Sequence, residues 1–209
     1  MHDKVLPRGS RRLLDLVDRR APDLLHGWVL AGGTGLALQI GHRRSEDFDF
    51  FRVTDAALPE LHARVRALGP CETLREGPRD LTLLAQGVKI SFFVVTEPFL
   101  HPAHPYRSFL IADSREIALM KLVAISGRGS RKDFVDLHFL IRGGFSLESL
   151  FAELPRKYGE GRVNAYHVLR SLTYFDDAEE EPALDLLEPF DWEECKRFFV
   201  REASAVVLP

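Results

Sequence analysis

The sequence is poor in cysteine: two in 209 residues, Cys71 and Cys195. They are far apart in the chain, in no spacing that suits a metal or a redox pair. A disulfide-stapled secreted domain is thereby excluded, and a reduced, cytoplasmic protein is expected. Long apolar runs are also missing. No stretch approaches the roughly 20 residues needed to span a bilayer, so no membrane partner is expected. The first twelve residues are charged and have no apolar core, unlike a secretory signal. Charge of one sign is lacking too. The net charge is −3, so no global basic field announces nucleic-acid binding. His101 and His104 lie in a proline-rich loop with no nearby ligand partners, which argues against a zinc site. There is no internal repeat and no low-complexity tract. The hydrophobic fraction, 45%, is ample for a sizeable core, and the length suits one domain with an appendage or two small ones.

The most informative stretch runs from Trp28 to Phe51. An apolar strand ends at Ala31. Gly32 and Gly33 then allow a tight turn with no Cβ in the way of a ligand. Thr34 is expected to open a short helix whose first-turn N–H groups, with the threonine hydroxyl, face one anion-binding spot. The helix should stop at Gly41. Arg43, Arg44 and Ser45 follow as further anion-binding groups. Asp47-Phe48-Asp49-Phe50 then alternates acid and aromatic. In a strand, residues two apart share a face, so both carboxylates point one way and both rings the other, into a core. Two adjacent carboxylates repel, and a hard divalent cation with phosphate oxygens is the usual remedy.

Gly-Gly-Thr, followed by Gly-His-Arg-x-Ser-x-Asp-x-Asp-Phe-Phe, resembles the signature of the AbiEii/AbiGii toxin family of nucleotidyltransferases, within the DNA polymerase β-like superfamily. A second block supports the resemblance. Lys121 stands in an apolar helix opened by Asp113-Ser114-Arg115-Glu116, which has the form of a capping box. Asp136 stands in the next, after Lys132-Asp133. These match the family's downstream motifs. Asp133, in the first turn, is adequately explained as a dipole-favoured acid. The two blocks fall within a resemblance running from about Trp28 to Ile141.

The resemblance implies an α+β protein: a nucleotidyltransferase-fold mixed sheet flanked by helices over residues 1–112, then an all-helical half, 113–209, completing the active-site cleft. It implies an enzyme that moves a nucleoside monophosphate from a nucleoside triphosphate to an acceptor, RNA or protein. Asp47 and Asp49 would ligate Mg²⁺ or Mn²⁺. Gly32, Gly33, Thr34, Arg43 and Ser45 would hold the nucleotide. Lys121 would bind phosphate, and Asp136 would orient it or a basic group of the substrate; the two should meet, near the acid pair. A toxin-like role beside a cognate antitoxin is the implied setting. One position departs from the superfamily pattern: the third carboxylate, expected within Lys89 to Phe93, is replaced by Ser91. That motivates an alternative, a catalytically weakened protein that binds nucleotide or a partner. A phosphotransferase of the kinase type is a further rival.

Elsewhere the pattern predicts helices over 10–25 (kinked or ended at Ala21-Pro22), Ala56–Leu68, Leu147–Tyr158, Val163–Leu172 and from Asp191 to about Val206. Strands are expected at Cys71–Arg75, Leu81–Ala85 and Val88–Val95, the last two joined by a Gln86-Gly87 hairpin turn. Residues 97–107, with three prolines, read as a loop or lid. Ser130 should cap the helix carrying Asp136. The acidic run from Phe175 to Pro182 reads as a solvated linker.

Overall fold

The structure is a computed structural model, described here for residues 1–208. After a short 3₁₀ turn (Asp3–Val5), the elements run α1 (Arg8–Arg20), β1 (Val29–Ala31), α2 (Gly32–Ile40), β2 (Phe48–Arg52), α3 (Leu58–Arg66), β3 (Cys71–Glu76), β4 (Asp80–Ala85) and β5 (Val88–Val94). Next come β6 (His104–Tyr106), β7 (Phe109–Ile111), α4 (Ser114–Arg128), α5 (Arg131–Arg142), α6 (Leu147–Tyr158), α7 (Ala165–Ser171), α8 (Asp176–Glu179) and α9 (Trp192–Ala205). The chain divides into two compact units, Met1–Asp113 and Ser114–Pro209.

The first unit holds a seven-stranded mixed sheet in the order β3-β4-β5-β2-β1-β7-β6. β2 is its middle strand, antiparallel to β1 and parallel to β5. Phe48 and Phe50 are fully buried. Phe50 stacks on Phe92 at 5.6 Å and meets Phe109 edge-on at 5.1 Å, while Trp28 meets Phe92 at 5.0 Å. Such ring pairs contribute about 0.5–1.5 kcal/mol each beyond the area they bury. The β4–β5 turn has positive φ at both Gln86 and Gly87, as a two-residue hairpin of the twist-matched kind needs.

Residues 104–111 are not loop. β6 and β7 form an antiparallel hairpin, and β7 runs parallel to β1. Three-residue strands broken by proline carry little pattern. Pro105 is tolerated because β6 is the sheet edge, where a missing N–H costs no ladder bond. His104 Nε2 lies 3.0 Å from Asp113 Oδ2.

The second unit is helical. Phe134, fully buried on α5, is surrounded by Phe175 (5.1 Å), Phe199 (5.4 Å) and Trp192 (6.1 Å). Val200, next to Phe199 on α9, is by contrast 47% exposed. The acidic run also differs from expectation. Ala178 is buried, and Glu181 Oε2 accepts from both Ser130 Oγ and Arg131 N, each at 2.9 Å. Ser130 is the N-cap residue of α5 but makes no side-chain cap bond of its own; Glu181 supplies the acceptor. A carboxylate at a helix N-terminus gains from both the unpaired N–H groups and the dipole, so this acidic segment is docked by local electrostatics that no apolar pattern could reveal.

His138 is buried on α5 against Phe198 (ring centroids 4.7 Å), and among the described residues its Nδ1 has no hydrogen-bond partner. Burial first, then the charge of Arg142, push its pKa down to about 4, with Glu194 opposing. Because the folded value lies below the unfolded one, the associated stability is fully present above about pH 6.5 and is lost as pH falls towards 4. Chemical denaturation across that range should show wild type losing on the order of 2–3 kcal/mol more than His138→Leu.

Candidate active site

In the first unit, α2 begins at Gly32, directly after β1, with Ala31 as N-cap. Thr34 is therefore the third helical residue rather than the first. Its hydroxyl is buried, lies 2.7 Å from Ser45 Oγ and donates to the Asp47 carbonyl. The side chain thus ties the start of α2 to the 43–47 return loop. Gly32 has φ +63°, and a Cβ there would sit 3.0 Å from Asp49 Oδ2. A Cβ on Gly33 would collide with Arg43 Nη2. The Arg43 guanidinium is thus laid on the bare backbone of the helix start; it is buried and donates to the Arg44 carbonyl at 3.0 Å. α2 ends at Gly41 in the left-handed region, φ 73°.

β2 starts at Phe48, so Asp47 immediately precedes the strand. The alternation still holds. Asp47 and Asp49 lie on the face opposite Phe48 and Phe50. Asp49 is in register with Ser91 of β5, which is buried and lies 3.4 Å from Thr82 Oγ1. Ser91 therefore occupies the position beside Asp49 on the acid face. Lys89, two residues before it, reaches Asp47: Nζ lies 2.8 Å from Oδ2. The structure thus brings together Gly32, Gly33, Thr34, Arg43, Ser45, Asp47 and Asp49.

In the second unit, Lys121 and Asp136 do meet. Lys121 Nζ is 2.6 Å from Asp136 Oδ2 and equally 2.6 Å from Asp133 Oδ1. All three are buried. Asp133, read from sequence as a first-turn acid, is a hub of this cluster: Arg128 also grips it, through Nε at 2.6 Å and Nη2 at 3.0 Å. The signal was present in the spacing, because Asp133 and Asp136 three apart share one helical face. Burial alone would raise the Asp133 carboxyl, but the Lys121 ammonium and the Arg128 guanidinium outweigh it and hold it below its usual value. Burial opposes the charge on Lys121, yet Asp136 and Asp133 hold its pKa above the ordinary range. Lys121 is also not the lone buried charge of α4. Glu116, expected to serve the capping box, is fully buried and ion-paired with Lys157 of α6.

Among the described residues, no group of three or more His, Cys, Asp or Glu side chains is placed to hold a metal ion. A cation at the acid pair would take two protein carboxylates, which fits Mg²⁺, an ion that binds one or two carboxylates and fills its shell with phosphate oxygens and water.

A middle strand bearing an acid pair beside a glycine-opened helix is the arrangement expected from the resemblance to nucleotidyltransferases. Residues 15–206 match the family described as "Nucleotidyl transferase AbiEii toxin, Type IV TA system", and the chain belongs to that family. An uncharacterized protein of Aquifex aeolicus (strain VF5) is 37% identical over 186 residues, 87% of this chain and 88% of the relative. Among solved structures, the fold is similar to MenT4, a nucleotidyltransferase toxin of Mycobacterium tuberculosis H37Rv: TM-score 0.60, 18% identity, 93% of this chain and 81% of that one. It is also similar to JHP933 of Helicobacter pylori: TM-score 0.54, 19% identity, 93% and 89% covered. No described helix is long and apolar enough to cross a membrane.

Two outcomes are expected. Lys121→Met leaves two buried carboxylates facing each other and should cost about 3–5 kcal/mol in chemical denaturation at pH 7. Asp133's depressed value means its stabilisation is present at neutral pH and lost as pH falls through that value. In the variant, protonation instead relieves the stranded acids, so the deficit should shrink on acidification. Gly33→Ala should push the tip of the flexible Arg43 side chain off the helix start, and the gain of alanine over glycine in a helix, about 1 kcal/mol, should offset most of the loss. A double-mutant cycle with Arg43→Ala should show the two losses to be less than additive.

Proposed function

We propose that this protein is a divalent-metal-dependent nucleotidyltransferase that moves a nucleoside monophosphate from a nucleoside triphosphate to an acceptor, and that it is the toxin of a toxin–antitoxin pair. The observation that carries this reading is the placement of Asp47 and Asp49 on one face of β2, with the Asp49 carboxylate against Gly32 at the start of α2. The first-turn N–H groups of α2 have no partner within the helix. With Gly33 and the Arg43 guanidinium they would bind the triphosphate, while Thr34 and Ser45 hold the return loop in place.

Asp47 and Asp49 would hold Mg²⁺ or Mn²⁺, which supplies neutralisation of the charge that develops on the phosphates. Lys121 would bind phosphate as a point charge, and Asp136, together with Asp133, would fix its position. RNA is the acceptor class we favour, by resemblance to the family. A cognate antitoxin as partner and a cytoplasmic location follow from the same reading. A second reading, a weakened enzyme that binds nucleotide or a partner, is favoured by Ser91 standing beside Asp49 where the superfamily has an acid.

The test is incubation of the full-length protein with labelled nucleoside triphosphates, total RNA and Mg²⁺. We expect label transferred to RNA with release of pyrophosphate, no transfer in chelator, and a loss of roughly a hundredfold or more in Asp49→Asn, which should fold as wild type does. Nucleotide binding without transfer would favour the second reading. Release of a nucleoside diphosphate would replace both with a phosphotransferase.

A further inference from the structure

The face of β2 that carries the acids is flanked by β5, and the register settles what β5 offers there. Phe48 pairs with Ile90 and Asp49 with Ser91. One step earlier, Asp47 comes beside Lys89, and the two side chains form an ion pair of 2.8 Å with the lysine 43% and the aspartate 38% exposed. Beyond β5, the next residue on this face is Thr82 of β4, paired with Ser91. The acid pair is thus bordered by an ammonium and two hydroxyls, and no further carboxylate adjoins Asp49 from β5.

We propose that Lys89 is a positioning residue that exchanges partners during nucleotide loading. Without metal, its ammonium holds Asp47 in place and offsets the repulsion from Asp49. On loading of a metal–triphosphate, Asp47 would pass to the divalent cation, and the released Lys89 ammonium, a flexible point charge with three donors, would turn to a phosphate oxygen. Lys89 therefore competes with metal and cooperates with nucleotide. This rests on the metal-binding reading of Asp47 and Asp49. It also gives the Lys89–Ser91 pair a purpose: a resident monocation on the acid face where the superfamily has a third carboxylate.

Two titrations of the full-length protein test it, with Mn²⁺ as the probe: free Mn²⁺ followed by electron paramagnetic resonance, and binding of a non-hydrolysable triphosphate analogue in saturating Mn²⁺ followed by calorimetry. A half-exposed ion pair implies a modest effect. Lys89→Met should bind Mn²⁺ alone roughly threefold to fivefold more tightly than wild type, and the analogue several-fold more weakly. Lys89→Arg, which keeps a cation, should stay near wild type in the first titration. Asp49→Asn should lose Mn²⁺ binding and serves as the control for the underlying reading. If wild type binds Mn²⁺ and Asp49→Asn does not, but Lys89→Met is unchanged in either titration or shifts both affinities the same way, the exchange is wrong and the metal site stands. If wild type and Lys89→Met both fail to bind Mn²⁺, or Asp49→Asn binds it as well as wild type, the metal reading itself fails and the exchange with it.

Discussion

The first unit depends on one constraint: β2 has to serve two opposed environments. As the middle strand of seven it cannot avoid the core. Phe48 and Phe50 bury fully on one face, each stabilising the fold by about 1.5–3 kcal/mol through burial alone. Strand periodicity then leaves Asp47 and Asp49 on the other face, in a register the rings hold fixed. A slip of one residue would bury the acids and expose the aromatics. The hydrophobic anchor and the chemically useful carboxylates are therefore one feature, and neither can be moved without the other.

The second unit solves a different problem with charge. Lys121, Asp133 and Asp136 are buried together, with Arg128 closing the far side of Asp133. Two acids and two bases come close to balance, whereas Lys121 with Asp136 alone would leave Asp133 stranded. A single buried ion pair is a poor source of stability. A cluster in which each carboxylate has a cation at hydrogen-bonding distance instead fixes the register of α5 against α4, because shifting either helix would strand a charge. Glu116 and Lys157 make the analogous link between α4 and α6. Buried ions thus specify the helix pairings that apolar contacts alone would leave adjustable.

Much of this was legible in the sequence, for identifiable reasons. Alternation named the two faces of β2, the Gly-Gly pair marked the start of α2, and the apolar surroundings of Lys121 and Asp136 announced that they must meet. Most of what escaped had no local signature. The β6–β7 hairpin is too short and too rich in proline for a period of two to show. Glu181 is an N-terminal acceptor for a helix 50 residues earlier in the chain, and nothing in an acidic run says which helix it will find. Asp133 was discounted because a first-turn acid already has a sufficient explanation; only the packing of α5 on α4 shows it buried beside Lys121. The start of α2 two residues before Thr34 turns its hydroxyl towards Asp47 and Ser45, a placement that the sequence pattern alone does not show.

The acid face also shows why the carboxylates can persist before any cation arrives. Two like charges on adjacent same-face positions repel each other. The superfamily pattern, with a third acid beside them, would sharpen that conflict. Here β5 contributes the reverse, an ammonium at Lys89 and a hydroxyl at Ser91, while the Arg43 guanidinium is held at the neighbouring helix start. The Lys89 ammonium thus supplies counter-charge to Asp47 from the chain itself. The Lys89–Asp47 pair is half exposed, and a pair of that kind contributes at most about 1 kcal/mol. On the proposed reading, such weak internal neutralisation suits a surface that would admit both a dication and a polyanion, because each could displace the protein's own counter-charge at little cost.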